Sequence, residues 1–195
     1  MAGAFVRILL ASEHTEFDSG AEAVALALAR REGLPLHAVL PMLSNPEFEM
    51  ATPRLAARAD EQVALRREAL QALAQAAGVN LQLRVRRGTE LFTQIVQAAR
   101  ELPADLIVLR RRGQRSFLAN LLVGEMVGKA LAQAPCSVLM APRGAQLWQR
   151  GVLVGLDPLA PDAGLLDQAV ALASGFGLPL HLVCVAAAAD EQAQA

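Results

Sequence analysis

The chain has 195 residues, of which 54% are hydrophobic and 19% charged, and its formal net charge is −1. A domain commonly takes roughly 100–200 residues, so this length gives one domain with some chain left over. The composition excludes a disordered chain, which needs low hydrophobicity and high net charge. It also argues against a general nucleic-acid binder, since no overall positive field gathers phosphates.

Taken in chain order, Val6 to Ala11 is a short apolar run, as expected for a central parallel strand covered on both faces. Ser19 and Glu22 make a capping-box pattern ahead of a periodic apolar segment that stops near Gly33. Leu36 to Leu40 reads as a second strand and Pro41 to Ala51 as a loop. Thr52-Pro53 starts a long amphipathic helix that ends by Gly78. Leu81 to Arg86 alternates apolar residues with Gln or Arg, as on a sheet edge with one wet face. Gly88-Thr89 opens another helix, Leu106 to Leu109 is a buried strand, and Arg110 to Ser116 is a polar loop. A helix of roughly residues 121–133 and a strand from Ser137 to Met140 complete the series. Strands alternating with helices imply a parallel sheet with right-handed crossovers and helices on both faces. Ligands of such sheets sit beyond the carboxyl ends of the strands, where strand order reverses.

After Pro142 the pattern restarts. Leu34-Pro35-Leu36-His37-Ala38-Val39 returns as Leu178-Pro179-Leu180-His181-Leu182-Val183, an offset of 144 that also pairs Leu9 with Leu153 and Glu13 with Asp157. An ungapped register over strand, loop, helix and strand marks an internal repeat. The expected organisation is an α/β domain over residues 1–142, a linker over 143–150 carrying Trp148, a partial β-α-β repeat over 151–185 and a frayed alanine-rich tail over 186–195. Trp148 is placed to pack between the two units. Two apolar strands alone cannot bury both faces, so the partial repeat needs a neighbour: the first domain, or a second chain with exchange of segments.

Other signals are weaker. Cys136 and Cys184 form no CxxC pair, and His14, His37 and His181 lack metal-ligand spacing, so neither a disulfide scaffold nor a zinc site is expected. His37 and His181 share one repeat position, which favours a structural role. No signal segment and no bilayer-length apolar run is seen, which gives a cytoplasmic expectation. There is no nucleophile elbow and no GK[ST] phosphate loop, so the chain is not expected to be an enzyme.

Several residue runs resemble the universal stress proteins, in particular their tandem members. They are Arg7 to Glu13 (RILLASE), Leu36 to Val39 (LHAV), Ala104 to Leu109 (ADLIVL), Leu122 to Val127 (LVGEMV) and Ala134 to Met140 (APCSVLM). The last is similar to a closing APCPVLVV-type strand of that family. The resemblance covers residues 5–142 and, in part, 151–185. It implies a five-stranded parallel sheet of order 3-2-1-4-5, followed here by the partial β-α-β repeat, and homodimers, often through the fifth strands. Some members bind ATP and others do not.

Binding members carry G-x-x-G, a spacer, then G-[S/T], and an acid after the first strand that faces adenosine. Glycine lets backbone approach phosphate, and helix-start amides complement its charge. This chain keeps half of that pattern. Arg110 stands at the first glycine, Gly113 at the second, and Gly124 follows after a longer spacer. Glu125 takes the Ser/Thr position, where a carboxylate repels phosphate. The candidate site for ATP or another adenine nucleotide is Ala11, Ser12, Glu13, Val39, Leu109, Arg110, Gly113, Gly124, Glu125 and Met126. Arg110, Arg111, Arg112 and Arg115 are either a phosphate clamp or partners of Glu13, Glu125 and nearby acids, the second reading being favoured. The resulting expectation is a non-enzymatic stress-response or regulatory module acting as a dimer with weak or absent nucleotide binding. The alternative is an ATP-binding switch. No membrane or nucleic-acid partner is expected.

Overall fold

The computed structural model describes residues 4–111, 132–157, 159–160 and 162–184. Phe5–Leu147 forms one compact unit, and the residues from Trp148 onward form another.

In the first unit β1 (Ile8–Ala11), β2 (Leu36–Leu43), β3 (Leu81–Gly88), β4 (Leu106–Arg110) and β5 (Ser137–Ala141) make one parallel sheet. Its order is β3-β2-β1-β4-β5, as the resemblance implied. The apolar runs of the sequence are its centre: Ile8, Leu10, Leu36 and Val108 are fully buried. Side chains alternate between sheet faces. Leu9, Ala11, Val39 and Ile107 cluster with Ala99 of α4 (Leu91–Glu101), and Ile95 and Ala98 of the same helix pack against them. The helix α1 (Ser19–Glu32) packs on β1, β4 and β5.

Asp105 anchors the first strand. Its carboxylate accepts from the Val6 amide at 2.7 Å and the Arg7 amide at 3.0 Å, which fixes where β1 begins against β4. Gly20, in the first turn of α1, meets the end of β5 closely. A methyl group there would lie 1.8 Å from the Pro142 carbonyl oxygen.

The structure corrects several boundaries. β2 runs through Pro41 to Leu43 instead of ending at Leu40. Its ladder to β1 ends at Val39, and beyond that it pairs with β3, so a residue lacking an N–H is tolerated. Part of the expected loop is a short helix, α2 (Pro46–Ala51), followed by α3 (Pro53–Ala76). The capping box does not form. Asp18 is the N-cap of α1, the Ser19 hydroxyl donates to the Glu16 carbonyl, and Glu22 turns into the interior. The expected helix of residues 121–133 falls largely outside the described residues.

β3 lies at the sheet edge. Two of its arginines are not merely solvated: Arg86 pairs with Glu101 and Arg87 with Asp60. They tie the edge strand to α4 and α3 while keeping it charged, a feature that discourages edge-to-edge pairing.

The second unit holds β6 (Val152–Leu156), α5 (Ala163–Phe176) and β7 (Leu180–Cys184), with β6 and β7 parallel. Its strand register, Leu153 opposite His181 and Gly155 opposite Val183, is that of Leu9 with His37 and Ala11 with Val39 at the 144-residue offset. Both connecting helices end on a left-handed glycine, Gly33 at φ 65° and Gly177 at φ 62°, where a residue lacking Cβ is favoured. The Trp148 ring packs on Phe176 with centroids 5.1 Å apart, inside this unit. Among the described residues no helix is long and apolar enough to cross a membrane.

Candidate functional site

In the order β3-β2-β1-β4-β5 the direction of winding reverses between β1 and β4. A crevice is expected at the carboxyl ends of those two strands. Ala11, Val39 and Leu109 form one level of the sheet there, in direct register. Ser12 prolongs the level, its amide donating to the Val39 carbonyl at 3.1 Å.

The chain leaves β1 through polar residues that pair with each other. Ser12 is buried, and its hydroxyl donates to Glu22 Oε1 at 2.5 Å while accepting from the His14 amide at 2.8 Å. The hydroxyl thus acts as donor and acceptor at once. The His14 ring Nδ1 lies 2.9 Å from the same Glu22 oxygen. His14 takes the left-handed backbone, φ 51°, which is uncommon outside glycine although histidine tolerates it more than most residues. The local turn and the Glu22 contact hold it there.

A second group forms around Asp18. Its Oδ2 accepts from the Thr15 amide at 2.9 Å and from the Thr15 hydroxyl at 2.5 Å. Arg110, at the end of β4, completes the arrangement. Its Nη2 donates to Glu13 Oε2 at 2.5 Å, and its Nη1 donates to the Thr15 hydroxyl at 3.0 Å and to Asp18 Oδ2 at 3.3 Å. The Arg110 side chain is only 18% exposed. A phosphate-binding crevice uses open backbone amides and surplus positive charge; among the described residues this one holds a guanidinium neutralised by two carboxylates. Among these described side chains, three carboxylates, Glu13, Asp18 and Glu22, stand against the one guanidinium of Arg110.

Six of the candidate residues read from sequence, namely Ala11, Ser12, Glu13, Val39, Leu109 and Arg110, are therefore brought together. Gly113, Gly124, Glu125 and Met126 lie outside the described residues, as do Arg112 and Arg115. Arg111 is turned to the neighbouring strand by its backbone, donating to the Ala141 carbonyl at 2.7 Å. Sequence reasoning missed His14, Thr15, Asp18 and Glu22 as members of the site. The available signal was a run of polar residues between a buried strand and its helix, with several acids facing one arginine at the next strand's end.

Elsewhere, burial together with the charges of Arg84 and Arg7 lowers the His37 imidazole below its ordinary pKa. Burial and the Asp105 carboxylate raise the Cys136 thiol, against a smaller opposing effect from a backbone hydrogen bond at Ile107. His37 lies in β2, and Cys136 stands immediately before β5. No group of three or more His, Cys, Asp or Glu side chains is placed to hold a metal among the described residues.

A family model described as the universal stress protein family matches residues 5–142. No curated protein matches the chain. Among solved structures, a universal stress protein in complex with cAMP is similar at 19% identity and a TM-score of 0.57, covering 73% of this chain and 100% of its own. A member of the same family from Burkholderia pseudomallei is similar at 25% identity and a TM-score of 0.53, covering 71% of this chain and 97% of its own. A functionally unknown protein from Pseudomonas aeruginosa PAO1 is similar over 92% of this chain but only 60% of its own, at 20% identity and a TM-score of 0.61.

Proposed function

The chain belongs to the universal stress protein family, and from that premise we propose that it is a non-enzymatic regulatory module of the cytoplasm, acting as a homodimer, with weak or absent nucleotide binding. The observation that carries this reading is the seat of Arg110. Among the described residues, the cationic side chain at the carboxyl end of β4 is held by Glu13, Asp18 and Thr15. A nucleotide entering the crevice must first break a largely buried ion pair and leave two carboxylates facing its phosphates. Breaking such a pair costs on the order of 3–5 kcal/mol when it is fully buried, comparable to the whole binding energy of a millimolar ligand.

Dimerisation through β5 is supported by its position at the end of the sheet and by the absence of a charged residue from Ser137–Ala141. An edge strand of that composition is a ready pairing surface.

The second reading is an adenine-nucleotide switch. It is favoured by the likeness of the fold to a universal stress protein that holds cAMP. Titration calorimetry with ATP and cAMP separates the two. The first reading expects no saturable heat up to millimolar ligand, and a gain of affinity when Glu13→Gln and Asp18→Asn release Arg110. Tight binding to the unaltered chain would overturn it. Release of phosphate from ATP at a catalytic rate would overturn its non-enzymatic part.

A further inference from the structure

We infer that Glu22 is a positioning residue for Arg110: through Ser12 and His14 it fixes the segment between β1 and α1 whose Glu13, Thr15 and Asp18 hold the guanidinium. This rests on the reading above in one respect, that the seat of Arg110 controls the crevice.

The internal repeat supplies a control. The second unit builds the same strand, helix and strand in the same register, and its helix also ends on a left-handed glycine. At the 144-residue offset it carries Leu156 for Ser12, Pro158 for His14 and Leu166 for Glu22. The fold of this element therefore does not call for the polar trio. Burying such groups is costly unless each finds a partner. Glu22 is 3% exposed and Ser12 1%, and they partner each other and His14. Asp18 and Asp162 are likewise equivalent, and both stand at the N-cap of their helices. Asp162 caps, accepting from the Leu165 amide at 3.2 Å. Asp18 makes no such bond and turns its carboxylate to Thr15 and Arg110 instead. The first copy thus gives up a helix cap and buries a carboxylate, and both departures serve the same segment.

The segment is short and pinned at both ends. The Ser12 amide is fixed on the Val39 carbonyl of β2, and α1 begins after Asp18. Between them, His14 takes the left-handed backbone, with its amide on the Ser12 hydroxyl and its ring Nδ1 2.9 Å from Glu22 Oε1. Glu13 and Thr15 flank His14 in sequence, so the placing of His14 sets both of them against Arg110. Glu22 follows Asp18 by one helical turn, its amide donating to the Asp18 carbonyl at 3.0 Å. One side of α1 thereby holds the segment through Glu22 and the guanidinium through Asp18.

The test is the rate at which phenylglyoxal modifies Arg110 in the folded 195-residue chain, read by peptide mass spectrometry. Glu22→Leu installs the residue of the second copy and removes the acceptor. It is expected to speed modification of Arg110 roughly fivefold or more, as for the loss of one hydrogen bond's worth of hold. Glu22→Gln keeps an acceptor oxygen and should restore most of the slow rate. His14→Asn tolerates the left-handed backbone but is too short to reach Glu22, and should also be fast. Leu70→Ala, in the buried part of α3, lowers the Tm by leaving a cavity and should leave Arg110 as slow as before, which separates positioning from loss of stability. A Glu22→Leu rate no higher than that of the unaltered chain or of Leu70→Ala overturns the proposal. If Glu22→Leu does not fold, His14→Asn decides by the same comparison. ATP calorimetry on the fast variants reports separately on the crevice: fast modification of Arg110 without a gain of affinity leaves this inference standing and counts against the reading of the crevice.

Discussion

The Arg110 guanidinium reaches the Glu13 carboxylate at 2.5 Å across 97 residues of sequence, joining the end of β4 to the segment that follows β1. Both side chains are mostly out of solvent, at 18% and 23% exposure. Replacing Arg110 by Met keeps much of its volume and removes the cation that neutralises Glu13 and Asp18. Removing one partner of a buried pair costs roughly 3–5 kcal/mol, and partial exposure reduces that here to about 2 kcal/mol. Urea unfolding near neutral pH should show this loss, and Arg110→Met combined with Glu13→Gln should recover part of it. Additive losses in the double variant would mean the two groups do not interact.

Gly20 offers a steric test. A Cβ at this position meets the Pro142 carbonyl oxygen at 1.8 Å and the Ala145 amide nitrogen at 2.8 Å, both backbone atoms that cannot rotate away. In an open helix Gly→Ala is stabilising by ~1 kcal/mol. Here the sign should reverse, with a loss of roughly 1–3 kcal/mol from forced displacement of the chain after β5. Thermal unfolding of Gly20→Ala measures it, and an unchanged or higher Tm would show that the α1–β5 approach is looser than described.

His37 gives a pH dependence whose sign follows from its surroundings. Its folded pKa is lowered, by burial first and then by Arg84 and Arg7. Below the unfolded value of about 6.5 the unfolded chain then binds a proton that the folded chain resists. This group therefore withdraws stability as pH falls below that value and contributes no pH dependence above it. The difference in stability between the unaltered chain and His37→Gln should change between about pH 7 and pH 5, becoming more favourable to Gln as pH falls. A constant difference across that interval would remove His37 as the cause.

The two cysteines should separate in a labelling experiment. Cys184 is exposed. Cys136 packs against the Leu9–Ile107 cluster, and burial with the Asp105 charge raises its thiol pKa. Since the thiolate is the reactive form, iodoacetamide at neutral pH should modify Cys184 well before Cys136 in the native protein, and both after denaturation. Native modification of Cys136 first, read by peptide mass, would contradict its placement.

Much of the sheet could be read directly from composition. Strands buried on both faces, such as Ile8–Ala11 and the Leu106 to Val108 part of β4, are written as continuous apolar runs, because neither face has to meet water. The strand order came from the family resemblance, since alternating strands and helices alone fit more than one order. The pairing of Arg110 with Glu13 was foreseeable as an alternative to phosphate binding, because an unshielded arginine beside acids seeks them. The roles of Asp18 and Glu22 were not foreseeable. Ser19 and Glu22 have the local spacing of a capping box, but the interior offers Glu22 the Ser12 hydroxyl and the His14 ring, and a buried carboxylate must take partners where the tertiary fold places them. Likewise Pro41 argued for a loop, and only the one-sided pairing of β2 beyond Val39 explains its presence in a strand.

The Arg110 contacts also bear on the order of assembly. Glu13, Thr15 and Asp18 lie 92 to 97 residues before their common donor. Contacts of such sequence separation carry a loop-closure cost before they return any energy, and chains rich in them fold more slowly. β1 can therefore pair with β2 while the carboxylates of Glu13 and Asp18 are still in water. They surrender it only when β4 arrives on the other side of β1. The insertion of the guanidinium would thus accompany the joining of the two halves of the sheet, at the boundary where β1 meets β4.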